Sequence, residues 1–145
     1  MSAPIAGTSH VLRHGDAEAV IASIGASLRS YRVAGRDLVV PYAEDEVRPG
    51  YRGATLAPWP NRLADGAYTF DGVEYQLPIT EVSRGTALHG PVMHERWAVA
   101  ELSTTRARLT RETVPVSVYP WQLGMSASYT LSGPGLTIEV AATNR

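Results

Sequence analysis

The chain has 145 residues, which is enough for one domain with a sizeable core. Its formal net charge is -1, so neither a basic surface for nucleic acid nor an acidic tail is expected. No apolar run approaches the roughly 18 residues that a membrane-spanning helix needs, and we expect no membrane partner. The absence of cysteine excludes disulfides and thiolate metal sites, and it favours a cytoplasmic protein.

Short alternating segments separated by turn residues predict an all-β chain. A hairpin is expected around Asp71-Gly72, because this dipeptide lies between two alternating runs and both turn positions need positive φ. A probable edge strand near the N-terminus carries His10 and His14, which we expect to be exposed. The further strands predicted in this half are residues 19–24, 28–33, 68–70 and 73–75.

The last third of the chain has the clearest alternation of polar and apolar residues, which is typical of antiparallel strands with one face on the core. Many short strands with frequent turns predict a sandwich or a barrel. No linker or change of composition divides residues 1–145 into two domains. The strands predicted here are residues 97–102, 106–110, 122–131 and 136–141.

The segment Pro58-Trp59-Pro60-Asn61-Arg62 is too irregular for a strand. Its prolines restrict the backbone, so the loop loses little entropy on ordering. Trp59 offers a flat apolar face to a sugar ring, Asn61 can donate and accept hydrogen bonds, and Arg62 offers five donors in a fixed fork. The alternative is a proline-rich turn in which Trp59 belongs to the core and Arg62 caps a carbonyl.

The second segment of interest is Leu88-His89-Gly90. Gly90-Pro91 interrupts the strand, so His89 is predicted at a strand end, where an imidazole can move protons near neutral pH. A structural histidine is the alternative. His94 lies five residues further on, but a metal site is not expected because a third ligand is missing.

Three adjacent carboxylates, Glu44-Asp45-Glu46, are interpreted as a solvated loop and not as a catalytic acid/base pair. The sequence contains no phosphate-binding glycine loop, nucleophile elbow or dinucleotide fingerprint.

A wider pattern runs through residues 25–31, 35–39, 58–62, 66–77, 87–90, 97 and 119–121. The order and spacing of these segments resemble the aldose 1-epimerase (galactose mutarotase) family. The resemblance implies an antiparallel β-sandwich of the galactose mutarotase-like supersandwich type, about half of which is present. Residues 1–145 then form the N-terminal part of a single domain. One departure is Val118, where the family often has glycine before Tyr119-Pro120.

The family interconverts the α and β anomers of free aldoses, such as glucose or galactose, without a cofactor. A carboxylate base removes the proton of the C1 hydroxyl, while a histidine acid protonates the ring oxygen. The resemblance implies that Arg62 binds sugar hydroxyls, with Asn61 and Trp59 as substrate neighbours. His89 is implied as a catalytic residue near the ring oxygen.

In the family, the principal acid histidine and the base glutamate follow the segment that corresponds to Asn144. We therefore expect both groups beyond residue 145, and we expect a homodimer or association with a C-terminal half to cover the open sandwich. Two other functions remain open. The chain could be a non-catalytic carbohydrate-binding β-sandwich, or an accessory domain of a polysaccharide-processing enzyme.

Overall fold

The computed structural model describes residues 4–145, and strands dominate its regular structure. The strands are β1 (Ser9–His14), β2 (Ala17–Ala22), β3 (Ser27–Val33), β4 (Arg36–Asp37), β5 (Arg62–Ala64), β6 (Ala67–Phe70), β7 (Val73–Gln76), β8 (Thr86–Leu88), β9 (Ala98–Leu102), β10 (Arg106–Glu112), β11 (Leu123–Ser132) and β12 (Gly135–Asn144). Short 3-10 helices span Pro49–Tyr51, Val82–Arg84 and Pro91–His94. None of the helices in residues 4–145 is long and apolar enough to cross a membrane.

The strands form two larger antiparallel sheets and two small ones. The larger sheets have the orders β1-β2-β3-β4 and β12-β11-β10-β9, and the small ones pair β5 with β8 and β6 with β7. All the strand pairs are antiparallel. The predicted antiparallel β-sandwich is therefore confirmed.

The core lies between the two larger sheets because each presents one apolar face to the other. Along β11, buried side chains alternate with less buried ones, as the sequence predicts. Trp97, only 1% exposed, lies in this core and donates its indole N–H to the carbonyl of Val92 at 3.1 Å. The core residues include Leu12, Ala19 and Ile21 of the first sheet and Leu109, Ala127 and Leu131 of the second.

The predicted strand positions agree with the structure except at their ends. The hairpin at Asp71-Gly72 is confirmed, with φ angles of 49° and 75°. The strand predicted over residues 19–24 instead ends at Ala22. Beyond it the chain turns, because Gly25 and Ala26 have positive φ angles of 69° and 43°.

The N-terminal edge strand is present as β1, but one expectation about it is wrong. His14 is exposed, as expected, whereas His10 is partly buried. The Nε2 atom of His10 is enclosed, and burial lowers the pKa of its imidazole. An alternating pattern of residues along one strand does not reveal which of its side chains other parts of the chain enclose.

Strand β12 forms the open edge of the second sheet. Ile138 and Val140 on this strand are 46% and 54% exposed. A long edge strand with exposed branched side chains offers a surface for pairing with further polypeptide.

Candidate active site

The segments at residues 57–62 and 88–90 meet in the structure as one unit. Strand β5 pairs with β8, and the register places Arg62 opposite Leu88. Asn61 and His89, the residues beside this pair, both adopt left-handed backbone conformations, with φ angles of 60° and 52°. Such conformations are uncommon for residues other than glycine and cluster at functional sites.

Three hydrogen bonds join the two segments. The backbone N–H of Asn61 donates to Nδ1 of His89 at 2.8 Å, and the backbone N–H of His89 donates to the Asn61 carbonyl at 2.7 Å. The N–H of Gly90 donates to the Trp59 carbonyl at 3.0 Å. Trp59, Asn61 and His89 are therefore positioned relative to one another by backbone contacts as well as by packing.

The hydrogen bond from Asn61 sets the tautomer of His89. Because Nδ1 accepts the hydrogen bond from the Asn61 N–H, the neutral imidazole carries its own hydrogen on Nε2. This Nε2–H can donate a hydrogen bond to a ligand. Burial, reinforced by the charge of Arg62, lowers the pKa of His89, while Glu81 opposes the shift. His89 is thus a neutral hydrogen-bond donor at pH 7, held at the end of β8 as the sequence predicts.

Arg62 is paired with a carboxylate that the sequence did not indicate. Its Nε and one terminal nitrogen donate to the two oxygens of Glu81 at 2.5 and 2.8 Å. Its other terminal nitrogen donates to Oδ1 of Asn61 at 3.0 Å. The hydrogen bond to Glu81 raises the pKa of Arg62. Three of the five N–H donors therefore bind protein acceptors, and two can still bind a ligand.

A cavity of about 630 Å³ lies beside this unit, and His89 and Trp59 line it. Most of its wall is apolar; the apolar lining residues include Pro58, Leu77, Val114, Val116 and Val118. Trp59 is half-buried and its ring lies 6.5 Å from that of Tyr119, so both can offer an apolar face to a sugar. Asn61 and Arg62 are not part of the cavity wall. The four predicted site residues are therefore linked, but only two face the same cavity.

Tyr119 is supported by an aromatic cluster on the β6–β7 hairpin. Its ring packs against Trp121 at 5.1 Å, and Trp121 packs edge-on against Phe70 at 4.9 Å. The hydroxyl of Tyr68 donates to the carbonyl of Val118 at 2.8 Å. Val118, the departure from the family pattern, thus anchors the segment that carries Tyr119.

Two further residues at the site, Tyr51 and Glu81, had no clear signal in the sequence, and neither had the contact that requires glycine at position 90. The ring of Tyr51 meets the imidazole of His89 edge-on, with centroids 4.9 Å apart. Glu81 comes from the loop between β7 and β8. A Cβ atom added at Gly90 would lie 1.7 Å from the carbonyl oxygen of Ala57. Each contact joins residues distant in sequence, and none leaves a local pattern.

The remaining candidates lie outside this hydrogen-bonded unit, although His94 lines the same cavity as His89. His94 ends the 3-10 helix Pro91–His94 and is exposed, with its ring 6.4 Å from that of Tyr51. The side chains of Glu44, Asp45 and Glu46 are solvated, as expected. Within residues 4–145, no three side chains of the metal-binding types come close enough to hold an ion.

Comparison with known proteins places the chain in a family. The model of the family described as aldose 1-epimerase matches residues 8–145. The uncharacterized protein YihR of Escherichia coli K12 is 39% identical over 134 residues, which are 92% of this chain and 44% of that protein. The chain belongs to the aldose 1-epimerase family.

Solved structures agree on the fold. A GalM/aldose epimerase homologue from C. elegans superposes with a TM-score of 0.82 at 19% identity, covering 95% of this chain and 46% of that one. A galactose 1-epimerase from Lactobacillus acidophilus gives a TM-score of 0.78 at 19% identity, covering 92% and 43%. The chain thus spans less than half the length of these relatives.

Proposed function

We propose that this chain forms the sugar-holding side of an aldose 1-epimerase site, which interconverts the anomers of a free aldose such as glucose or galactose. The observation that carries the proposal is the hydrogen-bonded unit of Asn61 and His89 beside the Trp59 cavity, in a chain of this family. The reaction needs an acid and a base but no cofactor.

In this proposal the sugar is held by donors on one side and by aromatic faces on the other. The Nε2–H of His89 donates to the sugar from the cavity wall. The two unused N–H groups of Arg62, which lies outside that wall, donate to hydroxyls that project from the cavity. Trp59 and Tyr119 cover the C–H face of the ring. Such a combination of a few placed polar groups with an apolar wall is typical of small-molecule sites.

His89 then acts on the ring oxygen as a hydrogen-bond donor. Mutarotation opens the ring when the C1 hydroxyl loses its proton and the bond between C1 and the ring oxygen breaks. A donor aimed at the ring oxygen stabilises the charge that develops there. A neutral imidazole N–H is too weak an acid to transfer its proton fully. We therefore propose that the principal acid and base come from the part of the relatives that this chain does not span.

The exposed strand β12 indicates where a partner polypeptide would bind. A second copy or a C-terminal half would pair with this edge and cover Ile138 and Val140. The cytoplasmic location remains a prediction.

One observation favours a second candidate function, sugar binding without catalysis. Glu81 is the carboxylate bound to Arg62, and hydrogen bonds from Arg62 and Thr86 lower its pKa to about 2. A carboxylate this acidic is a poor base. By itself, therefore, the chain would bind an aldose and leave its anomers unchanged.

Polarimetry of freshly dissolved α-D-galactose or α-D-glucose tests the proposal. We expect the chain to accelerate mutarotation when the missing half is supplied, and His89→Ala to lower the rate. His14→Ala is the matched control, because His14 is an exposed histidine on β1. Binding of the sugar without acceleration, even with the complete partner, would favour the second function. A rate that His89→Ala leaves unchanged would remove His89 from the mechanism.

A further inference from the structure

Backbone hydrogen bonds hold Glu81 in place, in addition to the contacts of its side chain. It forms an isolated bridge with Thr86, in which the N–H of Glu81 donates to the Thr86 carbonyl at 3.0 Å and the N–H of Thr86 donates back at 3.3 Å. Thr86 begins β8, the strand that leads to His89. The position of the carboxylate is therefore tied to the same strand that carries the imidazole.

The contact between Glu81 and Arg62 differs from the other ion pairs of residues 4–145 because both carboxylate oxygens accept from one guanidinium. In the pair of Arg32 and Asp37, by contrast, both donors share a single oxygen. The Glu81 side chain is 19% exposed, and Thr86 Oγ1 donates to it at 2.9 Å. A contact in which two N–H groups of one guanidinium donate to both carboxylate oxygens fixes the plane of the guanidinium as well as its distance from the carboxylate.

Such fixing matters because an arginine side chain has several rotatable bonds and loses entropy whenever it is ordered. With Glu81 and Asn61 binding three of its N–H groups, the two remaining donors of Arg62 point in fixed directions before a ligand arrives. A preorganised donor binds more tightly than one that must be ordered on binding.

We propose that Glu81 is a positioning residue of the sugar site, which orients the guanidinium of Arg62 toward the hydroxyls of the aldose. This inference rests on the proposed function and adds a residue to it. Glu81 acts through Arg62 and does not touch the sugar. Its oxygens accept from Arg62 and Thr86, and it stays ionised across the neutral pH range because its pKa is about 2.

The test compares Glu81→Gln with Arg84→Gln in the 145-residue chain. Arg84 approaches the same carboxylate, at 3.6 Å, but is 63% exposed, and its substitution leaves the contact between Glu81 and Arg62 in place, so its variant is a matched control. Galactose is titrated against each protein by NMR, and the Nε–Hε signal of Arg62 is assigned by its loss in Arg62→Lys. Glu81→Gln keeps the side-chain shape, and the backbone bridge to Thr86 is retained.

We expect Glu81→Gln to shift the Arg62 signal toward that of free arginine and to weaken galactose binding about tenfold, while the NMR signals away from the site show that the chain stays folded. Arg84→Gln should leave both the signal and the affinity unchanged. In the Arg62→Lys background, Glu81→Gln should have no further effect, because a residue that acts through Arg62 cannot act without it.

Two results would overturn the inference. One is an Arg62 signal that does not change in Glu81→Gln. The other is an affinity loss that persists in full in the Arg62→Lys background, which would mean that Glu81 acts by another route. If the unmodified chain does not bind galactose, the proposed function fails for this chain, and the Arg62 signal still decides whether Glu81 orients the guanidinium.

Discussion

Gly90→Ala should push apart the two segments that form the candidate site, residues 57–62 and residues 88–90. The added Cβ would lie 1.7 Å from the Ala57 carbonyl oxygen and 2.4 Å from the nitrogen of Pro58. Ordinary contacts begin at 3.4 Å, so one backbone segment must move by about 1.7 Å. Neither neighbour is a flexible side chain that can rotate away.

The cost follows from this displacement. Overpacking against a rigid neighbour costs about 1–3 kcal/mol. A shift of this size also breaks the hydrogen bond from Gly90 to Trp59, which adds about 1 kcal/mol. We therefore expect the free energy of unfolding to fall by about 2–4 kcal/mol and the melting temperature to fall by about 10 °C.

Urea unfolding followed by tryptophan fluorescence measures this change, and the NMR titration with galactose should show that binding is lost with it. Gly133→Ala is the control, because no atom lies within 4 Å of the added Cβ and its backbone is not left-handed. We expect the control to stay within about 0.5 kcal/mol of the unmodified chain. Equal unfolding midpoints for the two variants would refute the close approach of residues 57–58 to Gly90.

Three other predictions follow from the fold and the site. His89 should titrate below its ordinary pKa of 6.5 in an NMR pH series, with its hydrogen on Nε2. Because the pKa is lower in the folded state than in the unfolded state, the contribution of His89 to stability is present above pH 6.5. This contribution is lost as the pH falls through the folded pKa. A midpoint above 6.5 would contradict the burial of His89 beside the charge of Arg62. Trp97→Ala should lower the free energy of unfolding by about 3–5 kcal/mol in urea titrations, because the indole fills the core; a loss below 1 kcal/mol would contradict its burial. The chain should scatter light as more than a monomer, and Val140→Lys on the open edge should reduce this association; a compact monomer before substitution would contradict the prediction.

Much of the fold could be predicted from the sequence because alternation and turn chemistry are local. The hairpin at Asp71-Gly72 and the two faces of β11 follow directly from neighbouring residues. The end of β2 was missed because Ile24 is as apolar as the strand residues before it, and the turn depends on backbone angles at Gly25 and Ala26.

The site was predictable only in part. Arg62 and His89 could be named because their side chains have distinctive chemistry, and the family pattern supported both. Their partners could not be named, since Glu81 and Tyr51 reach them through the packing of separate loops. The tautomer of His89 likewise depends on a hydrogen bond from a residue 28 positions away in the chain.

The most direct test of the central claim is an NMR titration of the chain with D-galactose, with sorbitol as a control polyol that has no ring. The account predicts that galactose shifts the signals of the His89 imidazole, the Arg62 guanidinium and the Trp59 indole together, at a single affinity. It also predicts that sorbitol shifts none of them. Shifts confined to other parts of the chain, or no shift with any aldose, would contradict the claim that this unit holds the sugar.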